Sequence, residues 1–219
     1  MSIFKFNSFI GCFSSKDASQ NNNVSKKDSV YIQDINGKLW KTEDWDGSVK
    51  PNAIVVVADE AKFLIALTQP SSEKSICNVY DAPLEKYMRR TANITEAKAD
   101  YDGAGNTERI IMVEASSAFA AGYCDDFIFP DGKTRGYLPS FGQLNIAYRN
   151  KIAIAFALRK CGGDAMVTGP YWSSTFHRVI SYYGINLKAR TCWTVNWCGY
   201  SGHPHVDNDC QVRPFADFQ

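Results

Sequence analysis

Cys198, His203, His205 and Cys210 fall within 13 residues, in the pattern Cys-x4-His-x-His-x4-Cys. Two thiolates and two imidazoles are a legitimate tetrahedral zinc set. The stretch holds no Cys-x2-Cys and no His-x3-His pair, so its spacing is not that of a zinc module. Cys192 or Cys198 could instead pair with His177 as nucleophile and base. No pattern in the chain supplies an orienting third group or an oxyanion site for such a pair. Asp207, Asn208 and Asp209 cluster hard oxygen ligands, but an Asx-rich run of this kind reads first as a turn. Asp102-Gly103-Ala104-Gly105 is also a turn by composition. No Gly-Lys-Ser/Thr follows it, and no dinucleotide fingerprint is complete. No catalytic residue, metal ligand set or cofactor is therefore assigned.

The remaining chemistry is recognition. Phe176, Arg178, Tyr182, Tyr183 and Tyr200 are of the types that anchor protein interfaces, since they bury large area with few rotors to freeze. His177, Ile180, Ile185, Asn186, His203, His205 and Asp207 lie among them as further contact candidates. Two runs hold these residues, 176–187 and 198–210, of 12 and 13 residues. Neither contains Lys, Glu, Gln, Met or Trp, types that make up 32 of the first 175 residues, about 18%. At that rate four or five would be expected in the 25 positions. The 13 types that do occur can each be written by a codon of any two bases plus a pyrimidine; the five missing types cannot. Randomising the first two bases of Asn codons would leave this signature. Trp172, Trp193 and Trp197 cannot be written that way, so they are expected to belong to a fixed framework.

The flanks of the runs carry a resemblance. Tyr171-Trp172-Ser173-Ser174-Thr175, Trp193-Thr194-Val195-Asn196 and Val212-Arg213-Pro214-Phe215 together resemble the end of the variable proteins of diversity-generating retroelements. Tyr123-Cys124, Phe129 to Lys133, Gly136 to Leu144, Gly105 to Ile110 and Ala53 to Val57 extend the likeness over roughly Val30 to Phe215. Gln211 departs from it, standing where Arg or a small polar residue is expected. The resemblance implies an α+β, C-type-lectin-type fold related to the formylglycine-generating enzyme. It has a twisted antiparallel sheet, two main helices and a loop-rich C-terminal half. It implies a ligand-binding protein, not an enzyme, with a surface at about 171–215 diversified by a retroelement. The ligand is a protein or glycan on another cell, and the bearer a phage tail or bacterial surface assembly. Two alternatives are a formylglycine-generating-enzyme-like oxidase and a zinc-stapled binding module. The chain lacks the Arg-Gly-Gly-Ser-Trp-like motif expected of the first. It also lacks the Glu-Pro-Asn, Gln-Pro-Asp and Trp-Asn-Asp motifs of calcium-dependent sugar lectins.

The elements that must position these residues are partly legible. Val30 to Asp34 and Lys38 to Trp40 read as a hairpin around an Asp34–Gly37 turn. Ala53 to Asp59 and Phe63 to Leu67 are a second, strongly apolar hairpin. Asp81-Ala82-Pro83 could start a helix. Asn106 or Thr107 caps a helix running to about Ala121. Ser140-x-x-Gln143 is a capping box, and its helix bends at Asn150 into Lys151 to Lys160, which ends at Gly162-Gly163. Only strands follow, at 171–175, 191–197 and 210–215. Without helix–strand alternation, a doubly wound α/β fold is not expected.

Composition closes off other classes. A formal charge of +1 gives no electrostatic case for nucleic acid. No apolar run approaches the ~20 residues of a membrane span, so membrane insertion is not expected. Seven cysteines without a framework spacing are read as mostly reduced. Residues 1–29 read as a disordered arm or linker and 30–219 as one ligand-binding domain. The stretch before Cys12 is too broken by Lys5, Asn7 and Ser8 for a signal peptide. A phage virion or cytoplasm is thus favoured over the cell surface. Such a domain is compatible with a homo-oligomer or assembly into a larger particle.

Overall fold

The computed structural model describes residues 28–77, 90–114, 118–177 and 191–218. Its described strands are β1 (Ser29–Asp34), β2 (Leu39–Lys41), β3 (Pro51–Val57), β4 (Lys62–Ala66), β5 (Arg90–Thr91), β6 (Pro170–His177), β7 (Thr191–Asn196), β8 (Ser201–Gly202) and β9 (Phe215–Asp217). Its described helices are α1 (Ile94–Lys98), α2 (Gly103–Glu114), α3 (Phe119–Asp126), α4 (Phe141–Arg149) and α5 (Lys151–Lys160). The class is α+β. No helix among the described residues is long and apolar enough to cross a membrane.

Both expected hairpins form. In the first, Asp34 accepts from the Asn36 and Lys38 amides and from Trp40 Nε1, and Gly37 takes the left-handed conformation at φ 86°. In the second, β3 pairs antiparallel with β4 in register Ile54↔Ile65 and Val56↔Phe63. The continuous apolar run of β3 is explained by burial on both faces. Ile54 and Val56 pack into one core with Phe63 and Ile65, while Ala53 and Val55 pack into another with Leu64, Phe129 and Ala216. The full sheet has the order β2-β1-β3-β4-β9, so the C-terminal strand closes it beside β4. The second sheet has the order β5-β6-β7-β8.

The helices differ from expectation in number and bounds. Five are described where two main ones were expected. The single turn α1 exists because the Asn93 side chain caps it, accepting from the Thr95 amide at 2.9 Å. The next helix begins at Gly103, not at Asn106 or Thr107. Asp102 accepts from the Gly105 amide at 3.0 Å, so the glycine-rich segment read as a turn is the helix's first turn. Asn106, released from capping, turns inward. The stretch expected to be one helix to Ala121 is two, α2 ending at Glu114 and α3 starting at Phe119, with 115–117 outside the described residues. The capping box of Ser140 and Gln143 is present, and Asn150 separates α4 from α5. The helix start read at Asp81-Ala82-Pro83 lies outside the described residues.

A buried carboxylate ties these pieces together. Asp100 is 1% exposed. Its Oδ2 accepts from Thr175 Oγ1 of β6 at 2.7 Å and from Asn106 Nδ2 of α2 at 2.9 Å. Its Oδ1 accepts from the Asp102 amide at 3.1 Å. Its backbone carbonyl accepts from Ser140 Oγ at 2.7 Å and the Gly142 amide at 3.0 Å, at the start of α4. A Cβ at position 142 would collide with that carbonyl, so glycine is required there. Substituting Asp100→Asn would turn an amide donor toward at least one existing donor. The expected loss is about 2–3 kcal/mol, read as a lowered denaturation midpoint in urea with unchanged slope.

Candidate functional site

Strand β6 holds the sequence Tyr171-Trp172-Ser173-Ser174-Thr175, and each of these side chains is buried. The ring of Tyr171 enters the core shared with the first sheet, and its hydroxyl donates to Gln69 Oε1 at 3.0 Å. Trp172 points the opposite way, into the core of α2 and α3, and donates from Nε1 to Lys74 O at 2.7 Å. The register with β7 breaks between Trp172 and Phe176. In that irregular stretch hydroxyls replace ladder bonds. Ser173 Oγ donates to Trp193 O at 2.6 Å, and Thr175 Oγ1 accepts from the Phe141 amide at 2.9 Å. Ser173 and Thr175 thereby reach backbone inside a closed interior, whereas the buried Ser174 hydroxyl has no hydrogen-bond partner among the described residues.

On β7, Trp193 is 5% exposed, lies against Phe141 with ring centroids 5.0 Å apart, and donates to Thr91 O at 3.1 Å. Val212 and Phe215 are buried, and Phe215 stacks on Phe63 at 4.9 Å. Arg213 is 1% exposed and donates to Ala66 O at 3.1 Å and Asp164 O at 2.7 Å. Burial pushes its pKa down from the ordinary arginine range. The residues expected to be framework are thus interior, with Trp197 partly buried against Tyr148 and Tyr171.

The segment from Cys198 to Cys210 is the reverse. Only Val206 and Cys210 are buried; Tyr200 is 77% exposed, and Cys198, Ser201, His203, Asp207, Asn208 and Asp209 are exposed as well. The chain's three histidines meet on this side. The rings of His177 and His203 stack at 3.9 Å, and both stand edge-on to Trp193. Thr191 Oγ1 lies 3.2 Å from His177 Nδ1. The backbone of Thr191 also bridges to His205, whose Nδ1 lies 2.5 Å from Asp207 Oδ1.

Phe176 corrects the sequence reading. Assigned to the ligand-contacting surface, it is fully buried among Trp172, Cys192 and Val206. Strand β6 runs on to His177, and Phe176, four residues after Trp172, falls on the same face and enters the same core. His177 is half-buried. Arg178, Ile180, Tyr182, Tyr183, Ile185 and Asn186 lie outside the described residues.

The residues weighed for metal and nucleophilic chemistry are used differently. Among the described residues no group of three or more His, Cys, Asp or Glu is gathered to hold a metal. Cys210 is buried, its backbone paired with Lys74, and burial pushes its thiol up to about 12. Burial likewise raises the Cys192 thiol well above its ordinary range. A polar cleft of about 610 Å³ lies beside β9, lined by Gln33, Asp131, Arg135, Tyr137 and Asp217 among others, and contains none of the predicted contact residues. Comparison of the chain with protein-family models, with curated proteins and with solved structures gave no match.

The histidine stack has a pH consequence. Burial, and then the proximity of His203, lower the His177 pKa from 6.5 to about 4. Between those values the unfolded chain binds the proton and the folded one does not. Stability from this residue is therefore present above pH 6.5 and lost as pH falls toward 4. Wild type is expected to lose about 1 kcal/mol more than His177→Asn across that window, after allowance for solvent screening. Urea midpoints measured at about pH 7.5 and about pH 4.5, on either side of most of that window, check it.

Proposed function

We propose that this protein is a ligand-recognition protein of C-type-lectin type whose C-terminal surface is diversified by a retroelement. The observation that carries the reading is the match between codon type and burial. Trp172 and Trp193, which pyrimidine-ending codons cannot encode, are interior. The segment 198–210, made wholly of residues such codons can encode, is mostly exposed. Diversification tolerates such a division, since exposed substitutions usually shift stability by less than ~0.5 kcal/mol.

The α+β class, the sheet closed by its C-terminal strand and the long connections after α5 support the C-type-lectin type. Exposed Tyr200 and the polar residues beside it favour a protein or glycan ligand over a small apolar one. A rim of histidine, serine and carboxylate side chains supplies directional contacts around such an aromatic anchor. Phe176 belongs with the frame in this reading, and His177 at its margin.

The locus tests the reading. A near-identical template repeat and a reverse-transcriptase gene are expected beside this gene. Mismatches between repeat and gene should fall at template adenines, in codons such as those of His177, Tyr182, Tyr200 and His203. Mismatches scattered through Trp193 and Val212 to Phe215, or the lack of any repeat, would contradict it.

A further inference from the structure

The cleft beside β9, at about 610 Å³, is of the size of small-molecule sites, roughly 300–1,000 Å³. Hydrogen bonding fixes how one of its walls is polarised. The Ser140 amide donates to Gln143 Oε1 at 2.9 Å, so the Gln143 side chain is held with Nε2 turned away from it. That Nε2 donates to Tyr137 Oη at 2.8 Å. The tyrosine oxygen is thus an acceptor, and its own proton is left to face Asp217. Burial, and then the Asp217 carboxylate, raise the pKa of this hydroxyl, so it keeps the proton. Gly103 lets the first turn of α2 lie against the pair, because a Cβ there would strike the Tyr137 ring and the Gln143 amide. The capping box of α4 therefore aims a buried donor at a carboxylate of the cleft.

The charges around the cleft do not cancel. Four carboxylates line it, Glu108, Asp125, Asp131 and Asp217, against the two cations Lys133 and Arg135. Arg135 is committed to Asp125 at 2.8 Å. Asp131 accepts from the Lys133 and Thr134 amides and from the Thr134 hydroxyl, and the Lys133 charge acts on it. Glu108 on α2 and Asp217 on β9 are exposed and have no cationic partner among the described residues. Leu64, Ile35 and the Tyr137 ring add apolar lining. Two carboxylates without cations, set in a cleft with apolar lining, suit an alkyl ammonium ion. The nitrogen gains charge-assisted hydrogen bonds and the methylenes leave water.

We propose that this cleft is a second binding site, which takes a small organic cation bearing a primary ammonium group, held by Asp217 and Glu108. Its lining includes no residue of 171–215. The site is therefore constant whatever the proposed diversified surface binds, and it does not rest on that reading.

Calorimetric titration of the full chain with putrescine tests this. One-to-one binding is expected, with a Kd of ~1 mM or below. Butanediol, the uncharged counterpart of the same length, should not bind. Asp217→Asn and Glu108→Gln should each weaken putrescine binding roughly tenfold. Both positions are exposed, so these variants should keep the parent melting temperature. Glu43→Gln removes an exposed carboxylate outside the cleft and should leave binding unchanged. Absence of binding by the folded parent overturns the proposal, as does binding that survives both cleft substitutions or falls equally with Glu43→Gln. Tighter binding of Nα-acetyllysine methylamide than of putrescine assigns the cleft to a peptide-borne lysine and also overturns it.

Discussion

Asp100 is the point on which the separate pieces of this fold converge. A carboxylate so fully withdrawn from water is costly unless its lone pairs are filled, and here neutral donors from α2, β6 and its own loop fill them. The same residue's carbonyl seats the first turn of α4. Asn106 and Thr175 are themselves buried, so moving either element would strand both a donor and an acceptor. Geometry at the root of β6 is consequently fixed by polar satisfaction as well as by apolar packing.

The division between frame and surface follows from what each residue type can do. Tryptophan, tyrosine and phenylalanine fill the two cores on either side of the second sheet. Ser173 and Thr175 bond to backbone across the break in register between β6 and β7. Arg213 holds β4 and the segment after α5 together through two carbonyls, a role a shorter or uncharged side chain cannot fill. None of these positions can accept arbitrary replacement. Tyr200 and Asn208 are exposed, so selection can act on what they bind, while His203 lies against His177 and Trp193 at the margin of the frame.

Much of the frame is legible in the sequence because it follows periodic or local rules. The β3–β4 hairpin shows as β-branched runs, and the Ser140 capping box as a four-residue signature. What is not legible depends on distant partners. Asp100 sits in the ordinary polar stretch Ala99-Asp100-Tyr101-Asp102, with no local mark of its burial. The start of α2 is hidden because Asn106 is a good cap by type, yet its bond to Asp100 draws it inside. The inward facing of Phe176 is hidden because the strand read at 171–175 continues to His177, which puts Phe176 on the face of Trp172. The codon signature separates fixed from variable segments but not inward from outward positions within a segment, as Val206 and Cys210 also show.

Thermal melting of a library tests the central claim most directly. Tyr200, Ser201, His203, Asp207, Asn208 and Asp209 would be replaced together by random residues from pyrimidine-ending codons. If the frame is independent of this surface, most variants should melt within about 5 °C of the parent, since 1 kcal/mol moves a domain of this size by ~2–4 °C. Trp193→Ala, removing a core ring, should cost roughly 3–5 kcal/mol and fall by ~10 °C or more. A library in which most members melt as low as Trp193→Ala would contradict the account.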